Sequence, residues 1–270
     1  MARLGADVVK DSLHKTRSDT MSEDVQRVKN NIVRWHDWQP MISASAASIK
    51  TNRGLNHDGM AQLILPQNED WNDPIVKRKY RPDGRTQGGA SIPAKELPKL
   101  CFPLDDPQEK NGPGLLQNEV AMTTGRGLLV GPSIAADRSR RASSRVLAAK
   151  HNITQVTAPF MAYSMCLTRF GISHEVVFGP YGDHGFNYVV LYNTILKTID
   201  QISNMGEHGE GLELMQEVQD AWNRAIFSDV VYDLSDDEDS DREEDVDAVK
   251  ARYATFIADK RARVEQELAS

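Results

Sequence analysis

The spacing of apolar side chains from Leu115 to Phe227 constrains the fold more than any other feature of the chain. Tyr188, Tyr192, Ile195, Ile199 and Ile202 follow one another at steps of four, three, four and three. At about 3.6 residues per turn, such steps put all of them on one helix face, whereas a half-buried strand would need strict alternation. Leu214, Val218, Ala221, Trp222 and Ala225 form a second stripe of this kind, reached through Gly206, Gly209 and Gly211. Residues 156–173 predict the most buried helix, capped by Thr157, with Pro159 in its first turn. Further helices are predicted from Leu115 and over 132–150, the second with Arg138, Arg141 and Arg145 on one face. Upstream, Thr20 and Glu23 have the spacing of a capping box, and Val25, Val28, Ile32 and Trp35 continue a helical face toward Pro40.

Residues 51–114 break this pattern with eight prolines, at positions 66, 74, 82, 93, 98, 103, 107 and 113. Each proline removes an amide donor and biases the preceding residue away from helix. This predicts a long irregular segment, with a short strand at Gln62–Leu65. The expected fold is mainly α: an irregular helical bundle with a long Pro/Gly-rich loop region, an acidic disordered linker and a C-terminal amphipathic helix. The expected segments are a disordered arm (1–19), an N-terminal helical segment (20–50), the Pro/Gly-rich segment (51–114), a helical core (115–228), the acidic linker (229–245) and the last helix (246–270).

Charge is distributed unevenly. The net charge is −7, but residues 233–247, DLSDDEDSDREEDVD, hold ten acids and one Arg, which leaves the remainder at +2. A block this polar lacks the apolar groups to fold and reads as solvated linker. Beyond it, Ser240 and Glu243 repeat the capping spacing, and Val246, Val249, Tyr253, Phe256 and Ile257 predict the last amphipathic helix. By composition the chain is not a basic nucleic-acid-binding domain. Its two cysteines, Cys101 and Cys166, make neither a disulfide framework nor a metal finger, which points to a reducing compartment. The N-terminus has no apolar signal region, and no run is long enough to span a bilayer. The expectation is an intracellular protein, in nucleus or cytoplasm, with no membrane partner.

Several stretches invite chemistry. In GPYGDHGFNYVVLYN (179–193), Asp183 and His184, with His174 upstream, could ligate a metal, or His184 could be a base held by Asp183. Adjacent side chains point apart, and the glycines suit a tight turn between helices, which is the reading favoured here. GRGLLVG (125–131) lacks the Lys of a phosphate loop and the spacing of a dinucleotide fingerprint, so a helix with two weak points is preferred. His57 and Asp58 lie in a turn-like Asn-His-Asp-Gly. DRSRRASSR (137–145) makes Arg138, Arg140, Arg141 and Arg145, with Lys150, a candidate basic patch. As a solvated helix face it needs no ligand; as a binding face it would contact phosphates. Ser143 follows two arginines as basophilic kinases require, and Ser235 and Ser240 lie among acids, so all three are candidate phosphosites. KRKYR (77–81) resembles a nuclear-import patch. The acidic block would be attracted to the arginine-rich face at distances under about 8 Å, and could compete there with an acidic partner.

Several stretches in order, RSDTMSEDVQRVKNNIVRW, TNRGLNHDGMAQLILP, EDWNDP, PGLLQNEVAMTTGRGLLVGPS, ITQVTAPFMAYSMCLTRFGIS, LYNTIL and AWNRAIF, carry a resemblance from Asp19 to Phe227. The chain resembles a large uncharacterised family of basidiomycete (mushroom-forming) fungi whose members carry a domain of unknown function. Thr157, Ala162, Tyr163, Arg169 and Phe170 match its pattern, whereas Gly125 and Gly127 depart from a smoother helix, at about 1 kcal/mol each relative to Ala. The resemblance implies no reaction and no catalytic residue. Arg169, on an otherwise apolar helix, is a candidate buried polar group that needs a structural partner. The expected function is that of a non-enzymatic protein–protein interaction or scaffold module with no cofactor. The alternatives are nucleic-acid association through 138–150 and a metal-dependent enzyme using His174, Asp183 and His184.

Overall fold

Helix α8 (Ala158–Ile172) is the axis of the molecule, because almost its entire surface from Met161 onward is buried. The computed structural model describes residues 20–82, 89–104, 114–143, 145–180 and 185–233. Thr157 caps α8 by accepting from the Phe160 amide, and Pro159 sits in its first turn, as the sequence predicts. A helix that is apolar on all sides must be covered on all sides. Four long helices pack in cyclic order: α5 (Glu119–Leu129) on α8, α8 on α9 (Tyr188–Ser203), α9 on α10 (Glu210–Phe227), and α10 back on α5. The fold is mainly α, and the predicted apolar stripes of α9 and α10 supply Tyr188, Ile195, Ile199, Val218 and Trp222 to its core.

The N-terminal helix α1 covers residues 20–31 and runs into a 3-10 turn at Ile32–Arg34. Gly125 and Gly127 explain the two weak points of α5. A Cβ at Gly125 would stand 2.9 Å from Ile226 Cδ1, and one at Gly127 would stand 2.4 Å from the Trp35 ring. The glycines give up helix propensity so that neighbouring helices can approach.

Four expectations need correction. Where a strand is expected at Gln62–Leu65, residues 62–64 are the last turn of helix α3 (Asp58–Ile64) and Leu65 is its C-cap; α3 follows the short α2 (Ala44–Ser48). His57 caps α3: its Nδ1 accepts the Met60 amide at 3.3 Å, and its Nε2 donates to the Pro40 carbonyl at 2.7 Å. With a cap in place, Met60, Ala61, Leu63 and Ile64 bury their faces helically. The proline-rich segment is therefore only partly irregular: it also holds α4 (Pro74–Tyr80), and Trp71, Tyr80, Leu100 and Cys101 join the core.

The helix expected over 132–150 is interrupted. Helix α6 (Pro132–Ala136) stops at Asp137, a two-residue strand β1 (Ala142–Ser143) follows, and helix resumes only as α7 (Leu147–Lys150). Short polar side chains take backbone amides that a helix would need. Asp137 accepts from the Ser139 amide at 3.0 Å, and Ser143 Oγ accepts from the Arg145 amide at 3.2 Å. β1 pairs in parallel with β2 (Tyr232–Asp233), in the register Ala142 to Tyr232 and Ser143 to Asp233. The stretch expected to be linker from residue 229 thus begins with residues docked on the core through Val230 and Tyr232. The arm at 1–19, the acidic residues after 233 and the last helix lie outside the described residues.

Candidate functional site

Two charged clusters stand out, one buried and one exposed. The buried one closes α8. Lys50 Nζ donates to the carbonyls of Phe170 and Ser173, and lies 4.1 Å above the Phe170 ring. Arg53 Nη1 donates to Gly171 at 2.8 Å and to Lys29 at 2.9 Å. The last carbonyls of a helix have no partner within it, and two basic side chains from elsewhere in the sequence satisfy them here. Arg169 Nη1 reaches Glu175 Oε1 at 3.2 Å and Tyr188 Oη at 2.9 Å, with its guanidinium 3.2 Å from the Phe186 ring centroid. Tyr188 Oη donates in turn to the second oxygen of Glu175.

Electrostatics alone would nominate this cluster as a reaction centre. Burial, and then the charge of Arg53, push the Lys50 ammonium down to about 6, and burial pushes the Tyr188 phenol far up. Geometry gives these groups another task. Lys50 is 5% exposed and directs its donors at backbone, while Arg169 is 1% exposed and faces a carboxylate and a phenol. The groups hold one helix end to its neighbours. The same device closes α10, where Arg126 Nη1 donates to Ala225, Ile226 and Ser228, each at 3.1 Å. The sequence reading missed Lys50, Arg53 and Arg126 in this role. The available signal was a charged residue embedded in an apolar helix, as Arg126 is between Gly125 and Gly127.

The exposed cluster is the loop between α6 and α7. Arg138, Arg140, Arg141, Arg145 and Lys150 are all exposed. Arg140 Nε lies 3.4 Å from Asp137, whose carboxyl is held below its ordinary range by hydrogen bonds from Ser139 and then by Arg140. Arg138, Arg141 and Arg145 have no carboxylate partner among the described residues. The backbone beneath them is anchored, because Ala142 is 1% exposed and its amide donates to the Val231 carbonyl at 2.8 Å. The strand pairing brings the start of the acidic block, at Asp233, level with Ser143 and two residues from Arg141 in register. Arg126 feels both Arg138 and Asp229, so the end of α10 belongs to the same electrostatic neighbourhood.

The remaining sequence candidates are placed as follows. His174 is buried beside Gly54, in the α8-closing cluster. Asp183, His184, Ser235 and Ser240 lie outside the described residues. Among the described residues, no group of three or more His, Cys, Asp or Glu is arranged to hold a metal ion. Asp58 accepts from Trp71 Nε1 at 2.8 Å and faces Lys77 at 3.6 Å. Within the basic run at 77–81, Lys77 faces Asp58, Lys79 bonds Glu69, Tyr80 is buried and Arg78 is exposed. The thiols of Cys101 and Cys166 are buried, which pushes both far from the reactive thiolate form. No helix among the described residues is long and apolar enough to cross a membrane.

Residues 15–227 match a family of unknown function, DUF6698. No curated protein and no solved structure matches the chain.

Proposed function

The chain belongs to that family of unknown function, and we propose that its domain is a non-enzymatic binding module that takes an acidic protein segment on the arginine loop at 137–145. The observation that carries this reading is the set of three exposed arginines, Arg138, Arg141 and Arg145, held on an anchored loop with no carboxylate partner among the described residues. A guanidinium presents a planar fork that matches a carboxylate. Nucleic acid is the second reading, and it is less favoured. The arginines do not lie on a helix that could enter a groove, and the whole chain is acidic. The proposal carries with it the basidiomycete source that the resemblance implies and an intracellular site of action, in nucleus or cytoplasm.

The test is a titration of the full chain with a short labelled peptide of Asp, Glu and Ser, and in parallel with a single-stranded oligonucleotide of equal charge. The expected result is saturable peptide binding, weakened by salt and lost in the triple variant Arg138→Gln, Arg141→Gln, Arg145→Gln. Tighter binding of the oligonucleotide than of the peptide would transfer the surface to nucleic acid. Peptide binding untouched by the triple variant would end the proposal.

A further inference from the structure

We propose that residues 234–247 of the same chain are the resident occupant of the arginine loop, so that an outside acidic partner binds by displacing them; this rests on reading the loop as an anion-binding surface. Three observations converge. The first is placement. The described chain ends in β2, whose Asp233 is paired in register with Ser143 of β1, inside the arginine loop. The second is anchorage. Val230 and Tyr232 pack on the core, the Ala142 amide bonds the Val231 carbonyl, and Arg126 fixes the backbone at Ser228. The point from which the acidic block departs is therefore held. The third is charge. Residues 236–239 read Asp-Asp-Glu-Asp, beginning three residues beyond the anchor.

At no more than about 3.6 Å of reach per residue, the first of these acids stays within roughly 11 Å of the anchor. That is close to the distance, about 8 Å, over which charge attraction persists at physiological salt. A short tether also presents its charges at an effective concentration in the mM range, without any new contact. The four arginines and Asp137 give the loop a net +3, and the nine acids and one Arg of 234–247 give the segment −8. The segment can thus neutralise the loop and remain in excess.

The test compares the wild-type full chain with a full-length variant in which the acids of 234–247 are replaced by Asn and Gln. Two readouts are taken at low salt: tryptic cleavage after Arg138, Arg141 and Arg145, normalised to cleavage after Arg78, and affinity for the Asp/Glu/Ser peptide. Covered arginines are cut slowly, so cleavage is expected to rise about tenfold in the neutralised chain, and peptide affinity to rise by a similar factor. High salt should remove both differences. Equal cleavage of the two chains overturns the inference whatever the peptide does. Cleavage that differs while the peptide binds neither chain upholds the inference and removes the outside partner proposed above. A cleavage rate that depends on protein concentration assigns the occupant to another copy of the chain and also overturns it.

Discussion

Gly127 of α5 lies flat against the indole of Trp35, so close that a Cβ would fall 2.4 Å from Cη2. Trp35 cannot retreat easily, because its Nε1 donates to the Pro132 carbonyl at 3.0 Å and its ring is buried. Two effects therefore oppose each other in Gly127→Ala. Alanine improves helix propensity by about 1 kcal/mol. Overpacking a rigid ring costs about 1–3 kcal/mol. Overpacking wins here because the contact is with the body of a ring and not with the end of a flexible chain. Gly127→Ala is expected to destabilise by up to about 2 kcal/mol in urea unfolding. In a Trp35→Leu background the clash disappears, and the same substitution should become neutral or stabilising. Additive effects of the two changes would contradict the packing account.

Lys50 makes the stability of the fold depend on pH. Its folded ammonium is lowered to about 6 by burial and by Arg53, against an ordinary value of 10.5. Between those values the unfolded chain holds a proton that the folded chain does not. Stability from this group is thus complete above the ordinary value and declines as pH falls toward about 6. Lys50→Met removes the titration and the bonds to Phe170 and Ser173, but the lost bonds are a constant offset. Raising the pH from neutral toward 9 should therefore stabilise wild type relative to Lys50→Met by up to about 1.4 kcal/mol per pH unit. Parallel urea titrations of the two chains across that range check it. A difference that stays flat with pH would mean that the ammonium remains charged throughout.

The parts of the fold that were legible in the sequence are those whose cause is local. The period of α9, the Thr157 cap and the Pro159 start of α8 each depend on residues within a few turns of one another. What was not legible depends on distance along the chain. Lys50 meets α8 across 120 residues and Arg126 meets Ile226 across 100, so no window of sequence contains both partners. Gly127 reads as a flaw in its own helix and as a fit only once Trp35 is in place. The Arg138–Arg145 stretch was expected to be helix on charge spacing, but Asp137 and Ser143 capture the amides a helix would use. The candidate surface was legible as composition. Its position beside the acidic block was not, since a two-residue parallel pairing between Ala142 and Tyr232 leaves no periodic trace.

Ser143 sits where that pairing can be broken. Its Oγ accepts the Arg145 amide at 3.2 Å, and its backbone is in register with Asp233. A phosphate there would add about −1.5 to −2 charges. It would engage Arg141 and Arg145 itself, and it would repel the acidic residues that follow Asp233. Both effects act against the β1–β2 pair, which is too short to resist on its own strength. Phosphorylation of Ser143, or Ser143→Glu as its mimic, is expected to speed hydrogen exchange of the Ala142 amide by at least about tenfold, a cost of about 1.4 kcal/mol to local closure. The amides of α8 should keep wild-type rates, which separates local release from general unfolding. Ser143→Ala loses the Arg145 bond without gaining charge and should change exchange much less. If Ser143→Ala and the phosphorylated chain exchange alike, the effect belongs to the lost hydrogen bond and not to charge.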